Sequence, residues 1–310
     1  MLAPEAEAIC NDIKALRIQG ARKVAIAAVR AMSMQAQASE AKTHSEFYAD
    51  ILEAADALAG TRPTEPMLRN YLTDTIRFLL FRMRKERKAP VSRLKLLIAN
   101  LEKTNLAEMD ASISNIAEIG AKEIPKGATV LTHCHSNTVM AILKRSHELG
   151  KGISVICTET RPLYQGHRTA KELSEAGLPV TMIVDSAVES FMDKADLVLV
   201  GADAVTSSGD LFNKIGTAGI ARIAYDHDKK FYSAAELHKY DPLTRWGIME
   251  KIEERDLKEV ADPKEFKGVR IRNPAFDMTA AKFISAYITE MGVLAPQGLA
   301  ALAAREFGKD

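Results

Sequence analysis

The sequence predicts an α/β protein in two parts: an all-helical domain over residues 1–122 and a second domain over 123–310 built on a mostly parallel sheet. Two observations carry this. The period of the apolar residues changes near Pro125, and from there short apolar runs alternate with helical segments. The chain also has the material for both parts, since 310 residues with 47% hydrophobic content bury a substantial core.

Before Pro125 the apolar spacing is helical in AEAICNDIKALRI, ARKVAIAAVRAMSMQA, EFYADILEAADALAG and MLRNYLTDTIRFLLFRM, and strand signals are missing. The stretch GTRPTEP from Gly60 to Pro66 punctuates this region. Thr64 as a capping residue with Pro66 just inside predicts a helix start, and Pro90 with Ser92 marks another. Arg82 to Lys88, RMRKERK, reads as a solvated helix end, and Met32 and Met34 read as core or interface. After Pro125, ATVLTH, ISVICTE, PVTMIVD, DLVLVGAD and KFYSAA read as strands. TVMAILKRSHELG, GHRTAKELSEAG, AVESFMDKA and TAGIARIAYDHD are the helices between them. Continuous runs such as LVLV fit strands covered on both faces by the crossover helices. Open sheets of this kind bind ligands beyond the carboxyl ends of their strands, where Cys134, Glu159 and Asp203 fall.

Composition removes several classes of function. A formal net charge of +1 and a pI near 7.7 argue against a general nucleic-acid surface. Three cysteines, odd in number and widely spaced, supply neither a disulfide framework nor a C-x-x-C zinc pattern, so the reducing cytoplasm is the expected home. The start MLAPEAEAICNDIK carries acids where a signal peptide needs positive charge, and no run approaches the roughly 20 apolar residues of a span, so no membrane partner is expected. Neither G-x-G-x-x-G nor a P-loop lysine motif is present, which argues against a dinucleotide or Walker-type site.

The chemistry concentrates in ATVLTHCHSNTV, Ala128 to Val139, and VLVGADAV, Val198 to Val205. Each apolar run stops at a small polar cluster holding one side chain able to move a proton, Cys134 in the first and Asp203 in the second. Ser136, Asn137 and Thr138 sit where a helix begins. Asn213 and Lys214 precede Gly216 and a second helix start, so both places combine free backbone N–H groups with polar side chains as an anion site does; an ordinary helix cap is the alternative for each. His133 and His135 flank Cys134, but alternate residues leaving a strand share a face, which puts Cys134 opposite both histidines and makes a poor three-ligand set. No metal and no cofactor are expected. An imidazole neighbour and a helix start are instead expected to make Cys134 ionise more readily than a free thiol, with Cys10 and Cys157 as inert core.

Five motifs in order, THCHSN, ETRPLYQGHRTAKEL from Glu159, VGADAV, NKIGTAGIA from Asn213 and NPAFDMT from Asn273, resemble the archaeal ribose-1,5-bisphosphate isomerases across nearly the whole chain. That group is similar to the methylthioribose-1-phosphate isomerases and to the alpha, beta and delta subunits of initiation factor 2B. The resemblance implies an N-terminal helical domain, a C-terminal Rossmann-like domain, and conversion of ribose 1,5-bisphosphate to the ketose without cofactor. It also implies a homo-oligomer, a hexamer, with AMP as a nucleotide effector. By resemblance Cys134 is the proton acceptor and Asp203 the donor, and the substrate contacts are Gln19, Gly20, Ala21, Arg22, Arg62, Ser136, Asn137, Thr138, Asn213, Lys214 and Lys239. The family's Arg-Gly-Ala stands here as Gln19, Gly20 and Ala21, with Arg22 expected to replace the missing guanidinium. Without the resemblance, Arg62 between Thr61 and Pro63 reads as a solvated turn residue.

Overall fold

The computed structural model describes residues 2–63, 65–248 and 252–307. The chain divides into two compact units, Met1–Ala111 and Ser112–Asp310. The first holds α1 (Pro4–Lys14), α2 (Ala21–Ala38), α3 (His44–Ala59), α4 (Pro66–Lys85) and the first part of α5 (Val91–Glu123), which continues across the division. Apolar residues at helical spacing, among them Ile13, Val24, Met32, Phe47, Ile51, Leu58, Leu68 and Leu94, meet in one core. Met32 lies in that core, while Met34 on the same helix is exposed. Pro66 opens α4 with Glu65 preceding it; Thr64, the expected cap, lies outside the described residues. The run from Arg82 ends α4 at Lys85, where Glu86 pairs with both Arg82 and Arg93 and leaves Arg84, Lys85, Arg87 and Lys88 in solvent.

The second unit carries β1 (Thr129–Thr132), α6 (Asn137–Glu148), β2 (Ser154–Thr158), α7 (Gln165–Glu175), β3 (Val180–Ile183), α8 (Val188–Met192) and β4 (Leu197–Val200). It continues with β5 (Ala204–Val205), β6 (Leu211–Lys214), α9 (Thr217–Asp226), β7 (Lys230–Ala234), β8 (Phe276–Thr279), β9 (Ala286–Thr289), β10 (Gly292–Leu294) and α10 (Pro296–Phe307). The main sheet has seven strands in the order β10-β9-β7-β4-β1-β2-β3. All its pairings are parallel except β10 with β9. β5, β6 and β8 form a separate small antiparallel sheet.

Alternation along the strands explains the layers. Val130, Val155, Leu197 and Leu199 pack with Val139, Ile142 and Leu143 of α6, Leu173 of α7 and Ile116 of α5. Leu131, Ile156, Val198 and Val200 pack on the other face with α8, α9 and α10 through Met192, Ile220, Ala224, Leu299 and Ala303. Every residue of the LVLV run is therefore buried, and each contributes about 1.5–3 kcal/mol by leaving water. From β1 the chain winds one way through β2 and β3, then returns to place β4, β7 and β9 on the other side. The winding thus reverses between β1 and β4, and in open sheets the crevice beyond the carboxyl ends at such a reversal is where ligands bind. Among the described residues no helix is long and apolar enough to cross a membrane.

Candidate active site

Both side chains singled out as able to move a proton, Cys134 and Asp203, lie at that reversal. Cys134 follows β1 by two residues and Asp203 follows β4 by three, and the two strands pair directly, Val130 with Leu197 and Leu131 with Val198. Gly201 lets the strand ends close up, because a Cβ there would stand 2.7 Å from both Cβ and Oγ of Ser136. Three charged groups act on the Cys134 sulfur: Lys214, the last residue of β6, favours its ionisation, while Asp203 and Asp185, past β3, oppose it. Cys134 is half-buried and its backbone is left-handed, with φ 67, a conformation that costs a residue with a side chain about 1–2 kcal/mol.

The expected easy ionisation of Cys134 is overturned. Burial outweighs every favourable contact and pushes the thiol up to about 11 from an ordinary 9.0, against a hydrogen bond from the His135 backbone N–H and the charge of Lys214. The helix gives little help, because Ser136 is the cap of α6 and Cys134 lies outside its first turn. The His133 imidazole gives no charge. His133 Nε2 is 2.8 Å from the carbonyl of Ile215 and must donate to it, so Nδ1 accepts from the Thr158 hydroxyl at 2.6 Å. Burial holds His133 below its usual range, and it stands as a neutral strut between β2 and the loop before α9. His135 turns to α7: Thr169 Oγ1 donates to the Cys134 carbonyl at 2.8 Å and therefore accepts from His135 Nδ1 at 3.0 Å. His135 Nε2 then faces Glu172 at 3.7 Å.

A thiol near 11 is ionised in about one molecule in 10⁴ at neutral pH. Alkylation of Cys134 by iodoacetamide, followed by peptide mass, is expected to climb about tenfold per pH unit through pH 9. A plateau below pH 8 contradicts this. The sign for stability is fixed as well: a raised folded value means the contribution is complete below the ordinary thiol range and is lost as pH rises from 9.0 through about 11.

The expected anion sites at the two helix starts fare differently. At α9 the chain fills the place itself, since Asp277 accepts from Gly216 N at 2.7 Å and from Ala218 N at 3.2 Å. Burial still raises Asp277 to about 6 against those two bonds. That helix start is therefore a cap on a carboxylate, not an open anion site. At α6 the Ser136 hydroxyl accepts from Val139 N at 3.4 Å as a normal cap, with Asn137 exposed and Thr138 buried. Asn213 is buried and donates to Thr217 Oγ1 at 3.0 Å, which in turn donates to the Lys214 carbonyl at 2.6 Å. Lys214 Nζ sits 5.3 Å over the Phe276 ring. Lys239, in a short 3-10 turn past β7, is only 5% exposed, and its amine has no hydrogen bond or ion pair among the described residues.

In the first unit the expected contacts are held as follows. Gln19 is exposed and donates to the Leu16 carbonyl at 2.8 Å; Gly20 caps α2 with φ 88, and Ala21 is buried. Arg22 does not project as a replacement guanidinium, because it donates to the Met109 carbonyl at 2.6 Å and pairs with Asp110 at 2.7 Å. Arg62 is not a solvated turn residue: it is buried and pairs with buried Glu65 at 2.8 Å. An arginine between turn residues looks exposed until its carboxylate partner three positions on is counted.

Four supporting residues went unread: Thr160, Thr169, Asp185 and Asp277. Asp185 accepts from the backbone N–H of Thr160 at 2.7 Å and of Arg161 at 2.6 Å, and Thr160 Oγ1 accepts from Cys134 N at 2.9 Å. Their only signal was a place inside ETRPLYQGHRTAKEL, PVTMIVD and NPAFDMT.

Fold and site define a class, a two-unit α/β protein with a thiol and a carboxylate where a parallel sheet reverses its winding. The chain belongs to the Initiation factor 2 subunit family, whose profile matches residues 17–296. It is 39% identical to the ribose 1,5-bisphosphate isomerase of Pyrococcus furiosus, over 99% of this chain and 96% of that one. To the protein of the same name from Methanocaldococcus jannaschii it is 41% identical, over 96% and 94%. Among solved structures it resembles a Pyrococcus horikoshii translation initiation factor eIF-2B, with TM-score 0.79, 29% identity and coverage of 95% and 98%. It also resembles the 5-methylthioribose 1-phosphate isomerase of that organism, with TM-score 0.76, 28% identity and coverage of 98% and 88%.

Proposed function

We propose that the protein is an isomerase that converts ribose 1,5-bisphosphate to ribulose 1,5-bisphosphate. The observation that carries this is the pairing of Cys134 with Asp203 at the winding reversal, in a chain about two-fifths identical over nearly its full length to relatives bearing that name. A non-catalytic subunit of the same fold has no use for a thiol and a carboxylate placed together, and fold alone does not decide between them.

The reaction asks for one acid and one base. Phosphate on the anomeric oxygen blocks spontaneous ring opening, so Asp203 protonates the ring oxygen while Cys134 takes the proton from C2. Cys134 then returns that proton to C1 as the C2 hydroxyl proton passes back to Asp203, which leaves a ketone and restores both groups. The active form needs thiolate with carboxylic acid. Asp203 opposes the ionisation of Cys134, and burial keeps the proton on sulfur. Lys214 favours the thiolate, and Lys239, whose side chain is largely enclosed, is the natural counter-charge for a phosphate. Ser136, Asn137 and Thr138 follow β1 at the carboxyl edge of the main sheet, Asn213 lies on β6 of the small sheet, and we assign these four as substrate contacts.

Assay of ribose 1,5-bisphosphate beside methylthioribose 1-phosphate tests the assignment. A site with cations for two phosphates is expected to prefer the bisphosphate by at least about 10³ in kcat/KM, because a methylthio group leaves a buried cation unpaired. Preference for the methylthio sugar contradicts it. The same reading makes the chain a homo-oligomer, a hexamer with AMP as effector, acting in the cytoplasm on the route from nucleoside monophosphates toward Rubisco. Large apolar side chains exposed at Trp246, Ile248, Phe266 and Val269 support an assembly. A light-scattering mass equal to one 34.0 kDa chain contradicts it.

A further inference from the structure

We infer that Thr160 and Thr169 are positioning residues: two hydroxyls that grip the Cys134 peptide from both sides and hold it in the left-handed turn that presents the thiol. Naming Cys134 as the reacting group rests on the function proposed above; the grip itself does not.

Cys134 has φ 67, a backbone that L side chains rarely adopt, and nothing in its own side chain favours it. Its two peptide groups are held instead. Its N–H donates to Thr160 Oγ1 at 2.9 Å, and its carbonyl accepts from Thr169 Oγ1 at 2.8 Å. Both threonines are themselves fixed. Thr160 is fully buried with φ 60, and Asp185 holds its backbone N–H at 2.7 Å. The Thr160 hydroxyl also meets Thr158 Oγ1 at 3.2 Å, and Thr158 meets His133, whose Nε2 reaches the carbonyl of Ile215 just past β6 at 2.8 Å. Thr169 is 1% exposed on α7 and is locked by His135 Nδ1 at 3.0 Å. Gly166 seats α7 against β2, for a Cβ there would lie 1.7 Å from the Thr158 carbonyl oxygen. With Cys134 in this turn the His135 N–H bonds to the sulfur, so the direction of the thiol is tied to the peptide that the two hydroxyls hold. Neither threonine is asked to touch substrate.

Thr160→Val and Thr169→Val keep the shape and remove one hold each. Each is expected to lower kcat at least about tenfold, as misplacing a reacting atom does, with KM within about twofold. Each is also expected to move the pH midpoint of Cys134 alkylation toward that of a free thiol, as the turn relaxes into water. Thr160→Ser and Thr169→Ser restore both readouts, and Lys171→Ala on the exposed face of α7 changes neither. Valine variants with wild-type kcat and a wild-type alkylation profile overturn the grip, as do serine variants that fail to restore them. If the valine variants do not fold, melting decides: a peptide held left-handed makes Cys134→Gly melt above Cys134→Ala, and the reverse order overturns the inference. The two failures separate cleanly. A wild type that shows no turnover, yet whose alkylation profile the valines shift, removes the proposed reaction and keeps the grip.

Discussion

Cys134→Ser and Asp203→Asn are each expected to lower kcat for ribose 1,5-bisphosphate by about 10²–10⁴, the contribution of a placed acid or base. Serine keeps the size of Cys134 and its hydrogen bond from His135 N–H, but its hydroxyl does not ionise in any usable range. Asparagine keeps the shape of Asp203 and has no carboxyl proton to give. Both side chains are half-buried at strand ends, so neither change opens a cavity in the core faces, and melting is expected to stay close to wild type. Circular dichroism melts beside initial rates read both quantities. A variant of either kind that turns over near the wild-type rate removes that residue from the chemistry.

Lys239→Met is expected to move activity and stability in opposite directions. The side chain is only 5% exposed and has no ion pair among the described residues, so an apolar side chain of similar length suits its enclosed stem and is expected to raise Tm. The same change removes a charge-assisted contact to phosphate, about 1.5–3 kcal/mol, and so raises KM by about 10–150-fold. Because that contact is made in ground state and transition state alike, kcat is expected to hold. A variant with lower Tm and unchanged KM places Lys239 in the framework instead of the site. The opposition distinguishes a binding cation from a structural one, whose loss lowers both.

Sequence periodicity was enough for β1, β2, β3, β4 and β7 but not for β9 and β10; β2 and β4 are nearly continuous buried apolar runs, whereas β3 at the sheet edge leaves Thr181 and Met182 exposed and was read from its place between two helical segments. The small sheet was invisible for a physical reason. β5 is two residues long, and β6 meets β8 through Leu211 with Thr279, a pairing set by tertiary context and not by local pattern. The site divides in the same way. Cys134 and Asp203 announce themselves as titratable groups after strand runs, whereas Thr160, Thr169 and Asp277 act through hydrogen bonds to backbone that only folding brings near. The thiol's acidity was misjudged because neighbours in sequence were weighed and burial was not: His133 beside Cys134 is neutral and turned to Thr158 and Ile215, while enclosure raises the thiol to about 11. Asp277 likewise occupies a helix start from sixty residues away, which no local reading of NKIGTAGIA contains.

The central claim is that Cys134 and Asp203 together turn an aldose bisphosphate into a ketose bisphosphate. Carbon-13 NMR of ribose 1,5-bisphosphate labelled at C2 tests it most directly, with wild-type protein and the Cys134→Ser variant run side by side. The account predicts that the C2 signal moves to the ketone region with wild type and stays at the aldose position with the variant. An unchanged spectrum with wild type, or a ketone formed equally fast by Cys134→Ser, contradicts it.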